Sequence, residues 1–274
     1  MATIALITGA AYGIGRATAE RLLSEGFVVY GADKDTAQLG TLSHENFHPV
    51  KMDVRVDADV VNGVQKVIDE QGRIDHLFAN AGYCLLGPVE LQAPADVADQ
   101  FDVNVVGIGR VVSAVLPHMR KAGAGRIAIC SSAAGHVGMG GMAWYPATKF
   151  ALQGLAQGLR QEMAEFGIKV SLIEPGYIRT HLDVASLPTL DKCEQHENAP
   201  AYAHQMKTFR KKWSDGIANG AKPETIANAV HKAFTDAKPR RRYHPNMDAR
   251  AAYYIKRIFG DGLLDMMVPR SSIR

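Results

Sequence analysis

Short apolar runs alternate along this chain with longer stretches in which apolar residues recur every three or four positions. The runs, rich in Val, Ile, Leu and Phe, predict strands over 3–8, 27–32, 47–52, 74–80, 126–131 and 169–174. The stretches over 96–120 and 145–165 carry the helical period. In the first of them Val97, Phe101, Val105, Ile108, Val112 and Val115 form one stripe. Strands alternating with helices imply a parallel sheet covered by helices on both faces, an α/β fold of the doubly wound type. Gly123-Ala124-Gly125 marks a helix-to-strand turn, and no repeat, low-complexity segment or linker breaks the alternation. One domain over 1–274 is therefore expected. Within it, residues 177–222 separate the last clear strand motif from a helix start at Pro223. That length and the polar middle at 191–198 suggest a mobile lid over a site.

Composition changes this picture little. Of 274 residues, 47% are hydrophobic and 22% charged, ordinary globular values. No apolar run approaches the roughly 20 residues of a membrane helix. The first predicted strand begins so close to Met1 that no secretory signal is expected. Cys84, Cys130 and Cys193 have neither metal-ligand spacing nor an even count. Reduced thiols, no metal site and a cytoplasmic location are expected, with Cys130 a packed thiol in an apolar strand. The charge distribution is less even. The net +3 conceals a basic extension over 238–274, with nine Lys/Arg against three Asp, and a remainder of net −3. A solvated surface explains such an extension more simply than an acidic lipid, a nucleic acid or an anionic substrate. No aromatic-rich or helix-turn-helix motif accompanies Arg240-Arg241-Arg242, so no nucleic-acid partner is expected.

The candidate chemistry begins in a glycine-rich turn. Thr8-Gly9-Ala10-Ala11-Tyr12-Gly13-Ile14-Gly15 follows the run Ile4-Ala5-Leu6-Ile7 and opens a helical pattern at Arg16. Glycines in that position let the backbone approach a pyrophosphate, to which the helix N-terminus offers free N–H groups. The spacing is G-x-x-x-G-x-G rather than G-x-G-x-x-G. Tyr145 and Lys149 lie about one helical turn apart and share a face. An ammonium beside a phenol favours phenolate and pulls the phenol pKa toward working pH. A phenol tuned that way can exchange a proton with an alcohol or ketone oxygen. Ser132, thirteen residues upstream of Tyr145, adds a hydroxyl that could support a developing alkoxide. Tyr-x-x-x-Lys alone describes many solvated helix faces; its combination with the phosphate-type turn sets it apart.

Residues 8–15, Ala79-Asn80-Ala81-Gly82, Asn104, Ser132, Tyr145 with Lys149, and Pro175-Gly176-Tyr177-Ile178-Arg179-Thr180 occur in the order expected of a short-chain dehydrogenase/reductase. The chain resembles that family in detail over about residues 3–180. The resemblance implies a single Rossmann domain with a seven-stranded parallel sheet, NAD(P)(H) as cofactor, and alcohol–carbonyl interconversion. By the same resemblance Tyr145 is the acid/base, and Ser132 hydrogen-bonds the substrate oxygen. Lys149 holds the nicotinamide ribose and depresses the phenol pKa. Asn104 kinks its helix and anchors a water that links Lys149 to solvent. Gly9, Tyr12, Gly13, Ile14 and Gly15 form the cofactor turn. Asp53 and Val54 meet the adenine ring, Asn80, Ala81 and Gly82 lie beneath it, and Pro175, Ile178 and Thr180 contact the carboxamide.

Cofactor choice turns on Asp33, which ends the second strand 24 residues after Gly9. A carboxylate there accepts both adenosine-ribose hydroxyls and repels a 2′-phosphate. Tyr12 stands where NADP-preferring relatives often carry a base. Lys34 offers a phosphate some partner, but a flexible lysine is outweighed by the adjacent carboxylate. NAD rather than NADP is expected.

Pro146 departs from the family pattern, in which a small polar residue more often follows the tyrosine. Proline is tolerated in a helix's first turn, so Tyr145 is expected at or near the N-cap. Ala147, Ala151, Gly154 and Gly158 share one face of that helix and permit close approach of another. In relatives this helix and the one over 96–120 form a four-helix interface, which implies a homodimer or homotetramer. Val137, Met139, Met142, Trp144 and Tyr177 are expected to line an apolar pocket, with His136 and His181 as polar wall or surface. Pro239-Arg240-Arg241-Arg242-Tyr243, Asp248-Ala249 and Leu263-Leu264-Asp265 resemble the ending of the hydroxysteroid and retinol dehydrogenase branch, implying a bulky apolar alcohol or ketone as substrate. Two other classes share the fold. An NAD(H)-sensing regulatory protein with little turnover usually loses the tyrosine or the lysine, and both are present. A sugar-nucleotide epimerase carries G-x-x-G-x-x-G and a larger C-terminal domain, and neither is visible.

Overall fold

The apolar runs form strands Ile4–Thr8 (β1), Val28–Asp33 (β2), Phe47–Lys51 (β3), His76–Ala79 (β4), Gly125–Cys130 (β5) and Ile168–Ile173 (β6) in the computed structural model, which describes residues 2–267. A seventh strand, Arg242–Tyr243 (β7), arises from the basic extension. It has two residues and no apolar run, so only its partner β6 defines it, through Leu172↔Arg242 and Ile173↔Tyr243. All seven strands are parallel, in the order β3-β2-β1-β4-β5-β6-β7. The order reverses between β1 and β4, which opens a crevice beyond their C-terminal ends.

Helices cover both faces. Asp57–Gln71 (α3), Ile108–Ala122 (α5) and Trp144–Glu162 (α6) pack on one side over Leu6, Leu77, Ile127 and Leu172. Gly13–Leu23 (α1), the short Thr36–Leu39 (α2) and Pro223–Thr235 (α9) cover the other over Ile7, Val29, Phe78 and Ile173. Strands buried on both faces read as continuous apolar runs for this reason.

The single helix predicted over 96–120 is in fact Pro94–Phe101 (α4), a wide π turn at Asp102–Gly107, and α5. The apolar stripe runs through the turn and conceals it from periodicity, but the break falls at Asn104, where the family resemblance implies a kink. The wide turn carries Asn104, whose Oδ1 accepts the Tyr83 N–H at 3.0 Å and whose Nδ2 donates to the Tyr83 carbonyl at 2.9 Å and to Thr148 Oγ1 at 3.2 Å. A polar side chain satisfying another segment's backbone from inside a helix is a known companion of such bulges.

Residues 177–222 contain two helices, Leu182–Glu194 (α7) and Ala199–Ala218 (α8), which pack on a third apolar cluster with Leu86, Leu91 and Met142. The extension after β7 is helical at Met247–Met267 (α10), with Gly260 at φ +74° inside it. The side chains of Leu263, Leu264 and Asp265 lie outside the described residues. Among the described residues, no helix is long and apolar enough to cross a membrane.

Candidate active site

The glycine turn sits at the C-terminal end of β1, where the strand order reverses. Gly9 and Gly13 have φ of +68° and +51°, which other residues adopt only with strain. A Cβ on Gly15 would lie 2.0 Å from the Gly9 carbonyl oxygen, so only glycine lets α1 start this close to the strand. Gly15 therefore shapes the turn from behind, while Gly9, Tyr12, Gly13 and Ile14 line the cavity. Asn80 ties the turn to β4: its Nδ2 donates to the carbonyls of Thr8 and Gly9 at 3.1 and 3.2 Å. The Asn80 and Ala81 N–H groups donate to Thr8 Oγ1 at 3.0 and 3.2 Å.

That cavity, about 940 Å³, brings together almost every residue singled out above. Ser132, Tyr145, Lys149, Asp33, Asp53, Val54, Asn80, Ala81, Gly82, Pro175, Ile178 and Thr180 all line it. Asn104 and Gly15 stand one layer back. Tyr145 is the second residue of α6 and Pro146 the third, so the missing proline N–H falls among the helix's naturally free donors. Ser132 follows β5. Its Oγ donates to the Pro175 carbonyl at 3.2 Å and accepts from the Ala134 N–H at 3.1 Å.

Lys149 differs from expectation in its electrostatic effect. It is buried, its Nζ donates to the Cys130 carbonyl at 2.9 Å, and it stands 5.4 Å from the Tyr145 ring centroid. Burial pulls the Lys149 ammonium below its ordinary range. Burial, rather than the lysine, dominates the phenol and pushes the Tyr145 pKa well above 10, with only the Ser132 hydroxyl opposing. In the chain alone Tyr145 is a protonated phenol.

The rim around Asp33 is acidic. Asp33 accepts the Ala11 N–H at 3.1 Å and the Asp35 N–H at 3.0 Å. Tyr12 donates its hydroxyl to Asp35 at 2.7 Å, and that bond holds the Asp35 carboxyl below its ordinary range. Arg55, the nearby guanidinium, is held between Asp53 and Asp99. Its hydrogen bonds bring the Asp53 carboxyl down to about 2. The opposite end of the cavity is apolar, walled by Met139, Met142, Tyr177, Leu182, Trp213 and Ile217. Tyr177 meets Trp213 edge-on at 6.1 Å.

The short chain dehydrogenase family model matches residues 3–190. The chain belongs to the short-chain dehydrogenase family. It is 34% identical over 240 residues to a 3-ketodihydrosphingosine reductase of Bacteroides thetaiotaomicron, covering 86% of this chain and 85% of the relative. It is also 34% identical over 260 residues to the 17-beta-hydroxysteroid dehydrogenase type 1 of Homo sapiens, covering 88% and 76%. Among solved structures, a short-chain dehydrogenase from Streptomyces avermitilis superposes with a TM-score of 0.81 at 30% identity, covering 97% of this chain and 93% of that one. The chain is thus a dehydrogenase or reductase of a fold that binds nicotinamide cofactors.

Several features of this short-chain dehydrogenase depend on contacts between distant segments. Val137 and Trp144 do not line the cavity; Trp144 packs edge-on against Phe101 instead. Their places are taken by Leu182, Trp213 and Ile217, whose helices only the fold brings over the site. Nothing in its spacing marks Asp35, whose pairing with Tyr12 is a tertiary contact. His181 does line the cavity mouth, but His136 is a correction. It is buried, with Nε2 2.9 Å from Glu174 Oε1, because Glu174 follows β6 directly and is itself buried. His244 Nε2 lies 2.8 Å from Glu174 Oε2, and Arg242 Nη1 and Gln153 Nε2 also donate to Oε1, at 2.8 and 2.6 Å. The three groups His136, Glu174 and His244 converge as metal ligands can. The Arg242 guanidinium on the same carboxylate already compensates its charge.

This cluster predicts an acid-sensitive stability. Burial raises the Glu174 pKa, but the hydrogen bonds of His136 and His244 and the charge of Arg242 outweigh it, bringing the carboxyl from 4.5 down to about 2. The ionised carboxylate therefore favours folding above pH 4.5, and its stabilisation is lost as pH falls from 4.5 toward 2, about 3 kcal/mol in all. Glu174→Gln is expected to cost about 3 kcal/mol in urea unfolding at pH 7 and to flatten the acid limb of stability against pH. An unchanged acid limb in the variant would remove Glu174 from that role.

Proposed function

We propose that this chain interconverts a bulky, apolar secondary alcohol and its ketone with NAD(H). One observation carries the reading. Ser132, Tyr145 and Lys149 converge where the glycine-rich, acid-rimmed end of the cavity meets its apolar end. In ketone reduction Tyr145 gives its phenolic proton to the carbonyl oxygen as that oxygen gains charge, and the Ser132 hydroxyl turns from the Pro175 carbonyl to support the same oxygen. A bound reduced nicotinamide would supply the hydride that the carbonyl carbon accepts. Alcohol oxidation returns the proton to Tyr145. Lys149 would hold the nicotinamide ribose beneath the phenol, and Asn104 supports its helix from behind through Thr148. The glycine turn fits a dinucleotide, because Gly9 and Gly13 present backbone on the cavity wall, and a Cβ on either would press on Asn80 and Ala81 or on Thr180.

The substrate class rests on the wall. Apolar side chains from α7, α8 and the 139–142 loop surround the space beyond Tyr145. The two named relatives act, by their names, on a ketodihydrosphingosine and a hydroxysteroid, both large and apolar. Residues 177–222 then serve as the lid that excludes water. The small-residue face of α6, where a Cβ on Gly154 or Gly158 would meet nothing within 4 Å, is the surface for a homodimer or homotetramer.

Cofactor absorbance with NAD⁺ tests this on hydroxysteroids, hydroxylated long-chain amines, short alcohols and polyols. The bulky apolar members are expected to show kcat/KM about 100-fold above short alcohols, from a few buried methylenes. Equal rates on polyols would overturn the substrate class. Silence across the panel with tight NADH binding would overturn the enzyme reading.

A further inference from the structure

A second cavity, about 820 Å³, lies between α6, the exposed edge of β6, the chain entering β7, and α10. It shares no lining residue with the dinucleotide cavity. Six cationic side chains line it, Arg160, Lys169, Arg240, Arg241, Arg242 and Arg257, and no acidic one does. Glu174, behind the wall, compensates Arg242. Among the described residues the other five form no ion pair. Arg257 donates to the Tyr253 hydroxyl at 3.3 Å, a neutral partner.

Arg160 is the most telling of these. Its Nη1 is buried and has no hydrogen-bond partner among the described residues. Burial, and then the charges of Arg242 and Arg241, pull its guanidinium below the ordinary range, with the Glu174 carboxylate opposing them only in part. A desolvated, unpaired guanidinium crowded by like charges is costly in the free chain. Self-repulsion of this kind is relieved by an anion that takes several guanidinium forks together. Phosphoryl groups match that geometry better than a single carboxylate does. The volume also exceeds what one inorganic phosphate fills and suits a ligand of nucleotide size.

We propose that this cavity is a second binding site, for the di- or triphosphate group of a small phosphorylated ligand. Four of its six cations come from the basic extension folding back over α6: Arg240 and Arg241 lead into β7, Arg242 opens it, and Arg257 lies on α10; Arg160 and Lys169 come from α6 and β6. Four of the extension's nine cations thus share one concave surface.

Calorimetric titration of the full chain with inorganic tripolyphosphate, in saturating NADH to fill the first cavity, tests the assignment. One saturable site is expected, weakening steeply with added salt. Affinity should fall about tenfold or more in Arg160→Gln, and likewise in the exposed double variant Arg241→Glu with Arg257→Glu. The double variant keeps the test decisive if Arg160→Gln fails to fold. No saturable binding, or equal binding in wild type and double variant, would overturn the site. Binding to phosphatidylglycerol vesicles without binding to tripolyphosphate would also overturn it, in favour of a lipid headgroup surface.

Discussion

Tyr145→Phe is expected to lower kcat by about 10³-fold while the dissociation constant for NADH stays within about twofold. The reason is local. The phenolic oxygen is the group at the meeting point of the two cavity regions that can exchange a proton with a substrate oxygen, and the ring itself packs with the apolar cluster under α7 and α8. Phenylalanine keeps the ring and its packing and removes only the proton. Burial holds the Tyr145 pKa above 10 in the chain alone, so the phenol is protonated throughout the neutral range. Ketone reduction, which uses that proton, should vary little from about pH 6 to 8. Alcohol oxidation, which needs the phenolate, should rise with pH over the same interval. Stopped-flow rates in both directions, with NADH binding followed by fluorescence, check the two halves separately. A variant that kept near-normal turnover with cofactor binding intact would sink Tyr145 as the proton carrier.

The parts of the site read from the sequence share a property: local backbone geometry dictates them. The turn at residues 8–15 needs glycine at positive φ and at close approach, and those constraints show in the letters themselves. Tyr145 and Lys149 are placed by one helical turn, which spacing records. What the sequence concealed depends on contacts between distant segments. Periodicity hides the π turn within an unbroken apolar stripe, and only the family resemblance implies a kink at Asn104, whose partner Tyr83 lies 21 residues away. Strand β7 exists because β6 accepts it, not because Arg242-Tyr243 favours extension. Trp213 and Ile217 reach the cavity only because α8 folds back over it. The balance of effects on Tyr145 is not legible in the sequence for a related reason. Spacing places the two on one face but does not say that burial would dominate, nor that the ammonium would settle on the Cys130 carbonyl.

Asp33→Asn is expected to reduce the preference for NAD⁺ over NADP⁺, as a ratio of kcat/KM values, by about 100-fold. Two effects add. Loss of the carboxylate weakens charge-assisted bonds to the adenosine-ribose hydroxyls, each worth about 1.5–3 kcal/mol, and it relieves repulsion of a 2′-phosphate. Asparagine is the suitable replacement because Asp33 also accepts the N–H groups of Ala11 and Asp35, and one amide oxygen can retain part of that support. Reversal should remain incomplete. Asp35 keeps a second carboxylate on the same rim, held ionised by the Tyr12 hydroxyl, and Arg55 is held by Asp53 and Asp99 rather than free for a phosphate. Adding Asp35→Asn should therefore move the ratio further toward NADP⁺, whereas Lys34→Ala should change NADP⁺ use by less than about threefold, a single flexible ammonium at an exposed rim contributing little. Initial rates with both cofactors across the three variants, with unfolding midpoints to exclude collapse of the turn, decide the matter. Wild-type preference for NADP⁺ would show that Lys34 outweighs the two carboxylates, and the cofactor assignment would have to be reversed.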